Sequence, residues 1–167
     1  MQLLLWRHAQ AADGAPDMER ALTERGHAQA RVMADWLRPR LPAGLRILVS
    51  PARRAQQTAA ALGLPYETTD SIAPGAGAGA LLGAAGWPDA GRPALLVGHQ
   101  PALGELAATL LNGGRHLFPS DGKRCLPPFH VAKGAVWWLR ARGGDPRDVA
   151  LVAVLSPKLL DPPPGRD

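Results

Sequence analysis

The chain has 167 residues, 46% of them hydrophobic, so it can bury one full core and is too short for several domains. Its single cysteine, Cys125, excludes an internal disulfide and a cysteine-based metal site. The net charge of +5 comes from basic residues scattered among acids, with no Lys/Arg run longer than two residues, which argues against a nucleic-acid-binding protein.

The amino-terminal stretch is not typical of a targeting segment. Its apolar run from Leu3 to Trp6 is followed at once by Arg7 and His8, which is too short and too soon charged for a secretory signal peptide. No window of the sequence approaches the roughly 18 apolar residues of a membrane span. We therefore expect a cytoplasmic protein that does not bind membranes.

The first predicted elements are a strand, a loop and a helix. Residues 2–6 are typical of a short buried strand, and residues 9–21 are polar enough to predict a loop. Thr23 is suited to cap a helix that ends before Pro39 and Pro42. The apolar face of this helix is predicted to consist of Gly26, Ala30, Met33 and Leu37.

A second strand is predicted at residues 45–49. We expect Ser50-Pro51 to cap the helix that follows and runs to Gly63. A short extended piece is predicted at residues 66–68. The Gly/Ala-rich residues 73–86 could form a linker, but Leu81 and Leu82 within them favour a small-residue helix with loops.

The third clear strand, residues 93–98, ends immediately before His99. Pro101 begins the next predicted helix, whose buried stripe consists of Leu103, Leu106, Ala107 and Leu110. Residues 112–130 are loop-like, and two further strands are predicted at 135–139 and 149–155.

The alternation of strands and helices predicts a single α/β domain over residues 1–160. We expect a three-layer α/β/α sandwich around a mostly parallel sheet. The tail, residues 161–167, is too proline-rich to fold, and we expect it to be disordered.

Histidine and arginine residues follow three of the predicted strands. Arg7 and His8 end the first strand, Arg53 and Arg54 lie in the helical turn after the second, and His99 follows the third. Because ligands of such sheets bind at the carboxyl ends of neighbouring strands, we expect these side chains to converge.

Such a cluster is suited to a phosphoryl group. Guanidinium groups match its oxygens and stay charged at any working pH, and helix N-termini add amide donors. The sequence has neither a Walker-type loop nor a carboxylate cluster suited to Mg²⁺. We therefore expect a site without metal or cofactor, in which a neutral histidine is the nucleophile.

Four segments of the sequence resemble the signatures of the histidine phosphatase superfamily. LLWRHAQ resembles the Arg-His-Gly signature, with Ala9 in place of the glycine, and SPARRAQQTA and VGHQP resemble the second and third signatures. DMERALTERG is similar to the Asp-x-x-Arg-x-Leu-Thr-x-x-Gly linker of small SixA-type phosphohistidine phosphatases. The resemblance covers about residues 2–111 and, more weakly, the last strands, and it implies the phosphoglycerate mutase-like fold.

The resemblance implies a role for each site residue. His8 would attack phosphorus and carry a transient phosphohistidine, while Arg7, Arg54 and His99 would bind the phosphoryl oxygens. The second phosphate arginine would be Arg54, and Arg53 would face solvent.

The short segment between Gly63 and Pro93 suggests the substrate. Relatives that cleave phosphate esters carry a lid and an acid there, but here Glu67 and Asp70 are the nearest acids and neither is well placed. Since an imidazole leaves with less help than an alkoxide, we expect a phosphohistidine on a signalling or phosphotransfer protein, such as a histidine phosphotransfer domain. We expect the enzyme to be a monomer.

Two alternatives stay open. One is a phosphatase of small phosphate esters, and the other is a phosphate- or phosphoprotein-binding module without turnover. Of the remaining candidates, His27, His116 and His130 are expected to be structural or surface residues, and Arg20 is expected to pair with an acid and shape its loop.

Overall fold

The computed structural model describes residues 1–113, 127–143 and 145–160, without the side chain of Pro146. These residues form six strands: β1 (Gln2–Arg7), β2 (Arg46–Val49), β3 (Glu67–Thr68), β4 (Ala94–Gly98), β5 (Val136–Arg142) and β6 (Asp145–Leu155). They also form four α-helices: α1 (Glu24–Leu37), α2 (Arg53–Ala60), α3 (Ala78–Ala85) and α4 (Ala102–Leu111). His116 and the tail at 161–167 lie outside the described residues.

The strands form one sheet in the order β3-β2-β4-β1-β5-β6. β4 lies between β1 and β2 and is parallel to both, so that Leu96 is in register with Leu5 on one side and Leu48 on the other. β3 extends the parallel part, whereas β5 and β6 are an antiparallel hairpin at the opposite edge. The predicted α/β fold with a mostly parallel sheet is confirmed.

The sheet is covered by helices on both faces. Leu3 and Leu5 of β1 belong to the core that contains the buried side of α3 and α4, while Leu4 and Trp6 point to the core against α1 and α2. Since alternate residues of a strand face opposite sides, the continuous apolar run of β1 fills both cores. Full burial of each such leucine stabilises the fold by about 1.5–3 kcal/mol.

Helix α1 forms as its sequence predicts. The Thr23 hydroxyl accepts a hydrogen bond from the Gly26 amide at 3.0 Å, and the predicted apolar face is buried. A Cβ at Gly26 would overlap the Gln10 carbonyl oxygen, so only glycine lets the loop pack this closely. The helix ends at Leu37, and a 3₁₀ turn at Arg38–Arg40 follows.

The expected capping role of Ser50 is wrong. Helix α2 begins at Arg53, and Ala52 occupies the N-cap position without a side-chain cap. Ser50 is fully buried, and its hydroxyl oxygen accepts a hydrogen bond from the Ala52 amide at 3.3 Å in the turn that precedes the helix. Two residues of turn therefore separate Ser50 from the helix, and its hydroxyl is oriented toward the end of β4 instead.

The carboxyl-terminal hairpin is longer than its hydrophobic pattern predicts. β6 begins at Asp145, four residues before the predicted start, because pairing with β5 extends the strand into a polar segment. Trp138 is buried in the core, and Trp137, on the other face, stacks on Phe129 with 5.1 Å between ring centroids. None of the described helices combines the length and apolar character needed to cross a bilayer.

Candidate active site

Three adjacent strands end at one edge of the sheet and bring the predicted residues together. The His8 amide, just past β1, donates to the Gly98 carbonyl of β4 at 3.1 Å. The Ser50 amide, just past β2, donates to the Val97 carbonyl at 3.0 Å. These bonds hold the ends of β1 and β2 against the end of β4, where His99 follows.

His8 presents one ring nitrogen to the site. Its Nδ1 lies 2.7 Å from the Ala9 carbonyl oxygen, which can only accept, so Nδ1 carries the proton. Nε2 is then the unprotonated nitrogen, and its electron pair accepts a hydrogen bond from the Arg54 Nε–H at 3.3 Å. Ala9 replaces the usual glycine without strain, because it has no positive φ and its methyl group is buried.

The surroundings keep both imidazoles neutral. Burial lowers the pKa of His8 to about 4, and the nearby charges of Arg54, Arg7 and Lys133 act in the same direction. Burial also lowers the pKa of His99 to about 3, with contributions from His8 and Arg54. A neutral imidazole retains the electron pair that a nucleophile needs.

Arg54 lies at the start of α2 and is almost fully buried. Its Nε faces His8, and its Nη2 lies 3.5 Å from Nδ1 of His99. Asp17 contacts the outer side of the Arg54 guanidinium. The backbone carbonyl of Asp17 accepts a hydrogen bond from Nη1 at 2.6 Å, and its carboxylate accepts one from Nη2 at 2.9 Å. Arg53 is exposed and outside this cluster, as predicted.

His99 completes the cluster from β4. Its ring centroid lies 5.1 Å from that of His8, and the two ring planes are inclined by 51°. Nε2 of His99 lies 2.7 Å from the Ser50 hydroxyl oxygen. When that hydroxyl donates to Nε2, Nδ1 carries the proton and can donate to an anion beside Arg54.

Arg7 reaches the edge of the cluster. Its Nη1 donates to the Val131 carbonyl at 2.7 Å, and its buried Nε has no hydrogen-bond partner among the described residues. Burial lowers the pKa of the guanidinium, which still stays charged at working pH. Arg7 therefore adds positive charge beside His8 and His99.

Asp17 is a site residue that sequence reasoning missed. Its carboxylate bridges Arg54 and Arg20, and these two hydrogen bonds lower its pKa. Arg20 also donates to the Ala12 carbonyl, so it pairs with an acid and shapes its loop as predicted. The Asp-x-x-Arg spacing in the linker segment was the available signal, since it places both side chains on one 3₁₀ turn.

The other candidate residues lie outside the cluster. Glu67 pairs with Arg46 at 3.6 Å, and Asp70 is exposed. His27 is half-buried on α1, and His130 is exposed. Over the described ranges, no group of three or more His, Cys, Asp and Glu side chains is arranged to hold a metal ion.

The chain has relatives among known proteins. Residues 3–73 match the histidine phosphatase superfamily (branch 1). An uncharacterized protein of Picosynechococcus sp. is 39% identical over 137 residues, which cover 70% of this chain and 78% of that protein. The phosphohistidine phosphatase SixA of Escherichia coli is 46% identical over 59 residues, which cover 35% of this chain and 37% of that protein.

A solved structure agrees over nearly the whole chain. It is that of a putative phosphohistidine phosphatase SixA from Nakamurella multipartitia, with a TM-score of 0.76 and 29% sequence identity, and the match covers 93% of this chain and 95% of that one. The chain belongs to the histidine phosphatase superfamily, in which it is a phosphatase of the SixA type.

Proposed function

We propose that this phosphatase uses His8 as its nucleophile and hydrolyses phosphohistidine on a signalling or phosphotransfer protein, such as a histidine phosphotransfer domain. The observation that carries the proposal is the state of His8. Its Nδ1 proton is held by the Ala9 carbonyl, and Nε2 is neutral and lies beside the guanidinium of Arg54. An unprotonated ring nitrogen beside a guanidinium is what nucleophilic attack on a phosphoryl group requires.

In the first step, Nε2 of His8 attacks phosphorus. The new P–N bond to His8 forms as the P–N bond of the substrate breaks, and the substrate ring, already protonated on its other nitrogen, leaves as a neutral imidazole. Arg54, His99 and Arg7 hold the three equatorial oxygens and stabilise their charge. In the second step, water attacks the phosphohistidine of the enzyme, inorganic phosphate forms, and His8 is neutral again.

The ionised state of Asp17 favours a phosphohistidine over a phosphate ester as the substrate. An alkoxide leaving group needs a proton donor in the transition state. Hydrogen bonds from Arg54 and Arg20 lower the pKa of Asp17, so this carboxyl group is ionised at neutral pH and cannot supply the proton. An imidazole leaving group depends less on a proton donor. The phosphohistidine phosphatase SixA relatives support the same substrate class.

The test compares phosphate release from a histidine-phosphorylated protein and from an aryl phosphate, with His8→Ala as the control. We expect rapid release from the phosphoprotein, slow release from the aryl ester and none from the variant. Fast ester hydrolysis would instead support a phosphatase of small molecules. If the native enzyme releases phosphate from neither substrate, the proposal is contradicted and a binding module remains.

A further inference from the structure

A cavity of about 340 Å³ lies beside the active-site cluster of Arg7, His8, Arg54 and His99 and shares only Arg7 with it. Its other polar lining residues are Gln29, His130, Lys133, Ser156 and Lys158. His8, Arg54 and His99 do not line it. The cavity is therefore a separate site at the same edge of the sheet.

The antiparallel hairpin places the cavity there. β5 begins at Val136, which is in register with Trp6 of β1 and with Leu155 at the end of β6. The segment before β5 and the segment after β6 consequently emerge together, next to the end of β1. Lys133 lies in the first segment and Lys158 in the second.

Close packing fixes these two segments. The Gly134 amide lies 3.2 Å from the Arg7 carbonyl and 3.1 Å from the His8 carbonyl, so the loop that carries Lys133 is attached to the active-site strand. Gly134 has a φ of 76°, and a Cβ on it would approach Pro157 to 2.8 Å. Only glycine permits this turn, which holds the segment of Lys133 against the segment of Pro157 and Lys158.

The charges of the cavity suit an anion. Arg7, Lys133 and Lys158 are cations, and the lining contains no Asp or Glu. Over the part of the chain that the structure describes, no carboxylate lies within 4.0 Å of Lys133 or Lys158. The residue after Lys133, Gly134, has its amide 3.1 Å from the His8 carbonyl oxygen, so the cavity adjoins the loop that carries the nucleophile.

We propose that this cavity binds a carboxylate side chain of the polypeptide that carries the phosphohistidine, so that the enzyme selects acidic sequences around its target. The proposal rests on the proposed function. A volume of about 340 Å³ is at the small end of ligand pockets, which suits one or two side chains. Ala132 and Pro157 add apolar surface for the methylene groups of a glutamate.

The test uses two histidine-phosphorylated peptides that differ only in having glutamate or glutamine around the phosphohistidine. We expect kcat/KM for the acidic peptide to be about tenfold higher with the native enzyme, mainly through KM. The double variant Lys133→Gln/Lys158→Gln should lose this preference. Both lysines are exposed, so their replacement leaves the core intact.

Arg92→Gln is the control for the loss of a surface cation outside the cavity. It removes one positive charge from an exposed residue just before β4, at the end of that strand away from the active site. It should leave the preference for the acidic peptide unchanged. Equal kcat/KM values for the two peptides with the native enzyme would overturn the proposal. So would a double variant that retains the preference.

A binding measurement separates this proposal from the proposed function. The unphosphorylated acidic peptide is titrated against the native protein and the double variant, and the amide resonances of residues 133 and 158 are followed by NMR. If neither peptide is hydrolysed but binding occurs and is lost in the variant, the proposed function fails and the cavity proposal holds. If the acidic peptide does not shift these resonances, the cavity proposal fails.

Discussion

At the scale of single residues, hydrogen bonds with neighbouring groups decide which nitrogen of each histidine is available. The Ala9 carbonyl assigns the reactive role to Nε2 of His8, and the Ser50 hydroxyl orients His99. Asp17 does the same for Arg54, because it occupies the outer edge of the guanidinium and directs the inner edge to the two imidazoles. Each group that would touch phosphate is thus held by another group before substrate arrives.

The Ser50→Ala variant tests how His99 is held. It leaves the buried Nε2 of His99 without its partner, so we expect the free energy of unfolding to fall by about 1–3 kcal/mol. The value of kcat should also fall, but less than in His99→Ala, since the imidazole stays present in a less defined orientation. Urea unfolding and steady-state kinetics measure the two effects.

Ser71→Ala is the control for this variant, because Ser71 is exposed on the 3₁₀ turn after β3. It should change neither quantity. A Ser50→Ala enzyme with native kcat and native stability would show that the bond between Ser50 and His99 has no role.

The two neutral histidines predict how stability depends on pH. Burial lowers the folded-state pKa of His8 to about 4 and that of His99 to about 3, below the ordinary value of 6.5. As the pH falls below about 6.5, the unfolded chain therefore binds more protons than the folded chain, and the free energy of unfolding decreases. Urea unfolding between about pH 6.5 and pH 5 measures this slope before most carboxylates titrate.

The double variant His8→Asn/His99→Asn should flatten the slope in that range. If the slope is the same in the variant, the two imidazoles are not the groups responsible. A native protein whose stability rises as the pH is lowered through this range would contradict the stated direction of the pKa shifts.

At the scale of elements, local sequence predicts that a helix forms more reliably than it predicts the residue at which the helix begins. Helix α1 follows its pattern because Thr23, Gly26 and the buried stripe all indicate the same start and face. Helix α2 begins later than its Ser50-Pro51 sequence indicates, because the Ser50 hydroxyl is used at the end of β4. β6 exceeds its apolar run because strand pairing, which no local pattern reveals, determines its length.

Two glycine substitutions test the packing of the helices. Gly26→Ala places a methyl group against the Gln10 carbonyl and should lower the free energy of unfolding by about 1–3 kcal/mol or more. Gly83→Ala, within α3, meets no atom within 4 Å and should raise it by about 0.4–1 kcal/mol. Thermal and urea unfolding of both variants provide the comparison. Equal effects of the two substitutions would contradict the close approach at Gly26.

At the scale of the whole molecule, the order of the strands creates the site. β4 between β1 and β2 brings His8, Arg54 and His99 to one edge, and each of these residues could be predicted because it directly follows a strand or begins the next helix. The contact of Ser50 with His99, 49 positions away along the chain, could not be predicted, because no local pattern shows where the Ser50 hydroxyl points. For Asp17 the Asp-x-x-Arg spacing was a signal, but it did not reveal the contact with Arg54. The extent of the single domain over residues 1–160, the monomeric state and the cytoplasmic location stay predictions.

The central claim is that His8 accepts the phosphoryl group, and trapping the intermediate tests it most directly. The enzyme is mixed rapidly with a histidine-phosphorylated protein, quenched in alkali, in which phosphohistidine survives, and mapped by mass spectrometry. We expect the phosphoryl group on His8 in the native enzyme, and neither label nor turnover in His8→Ala. A phosphoryl group on another residue, or turnover that persists in His8→Ala, would contradict the account.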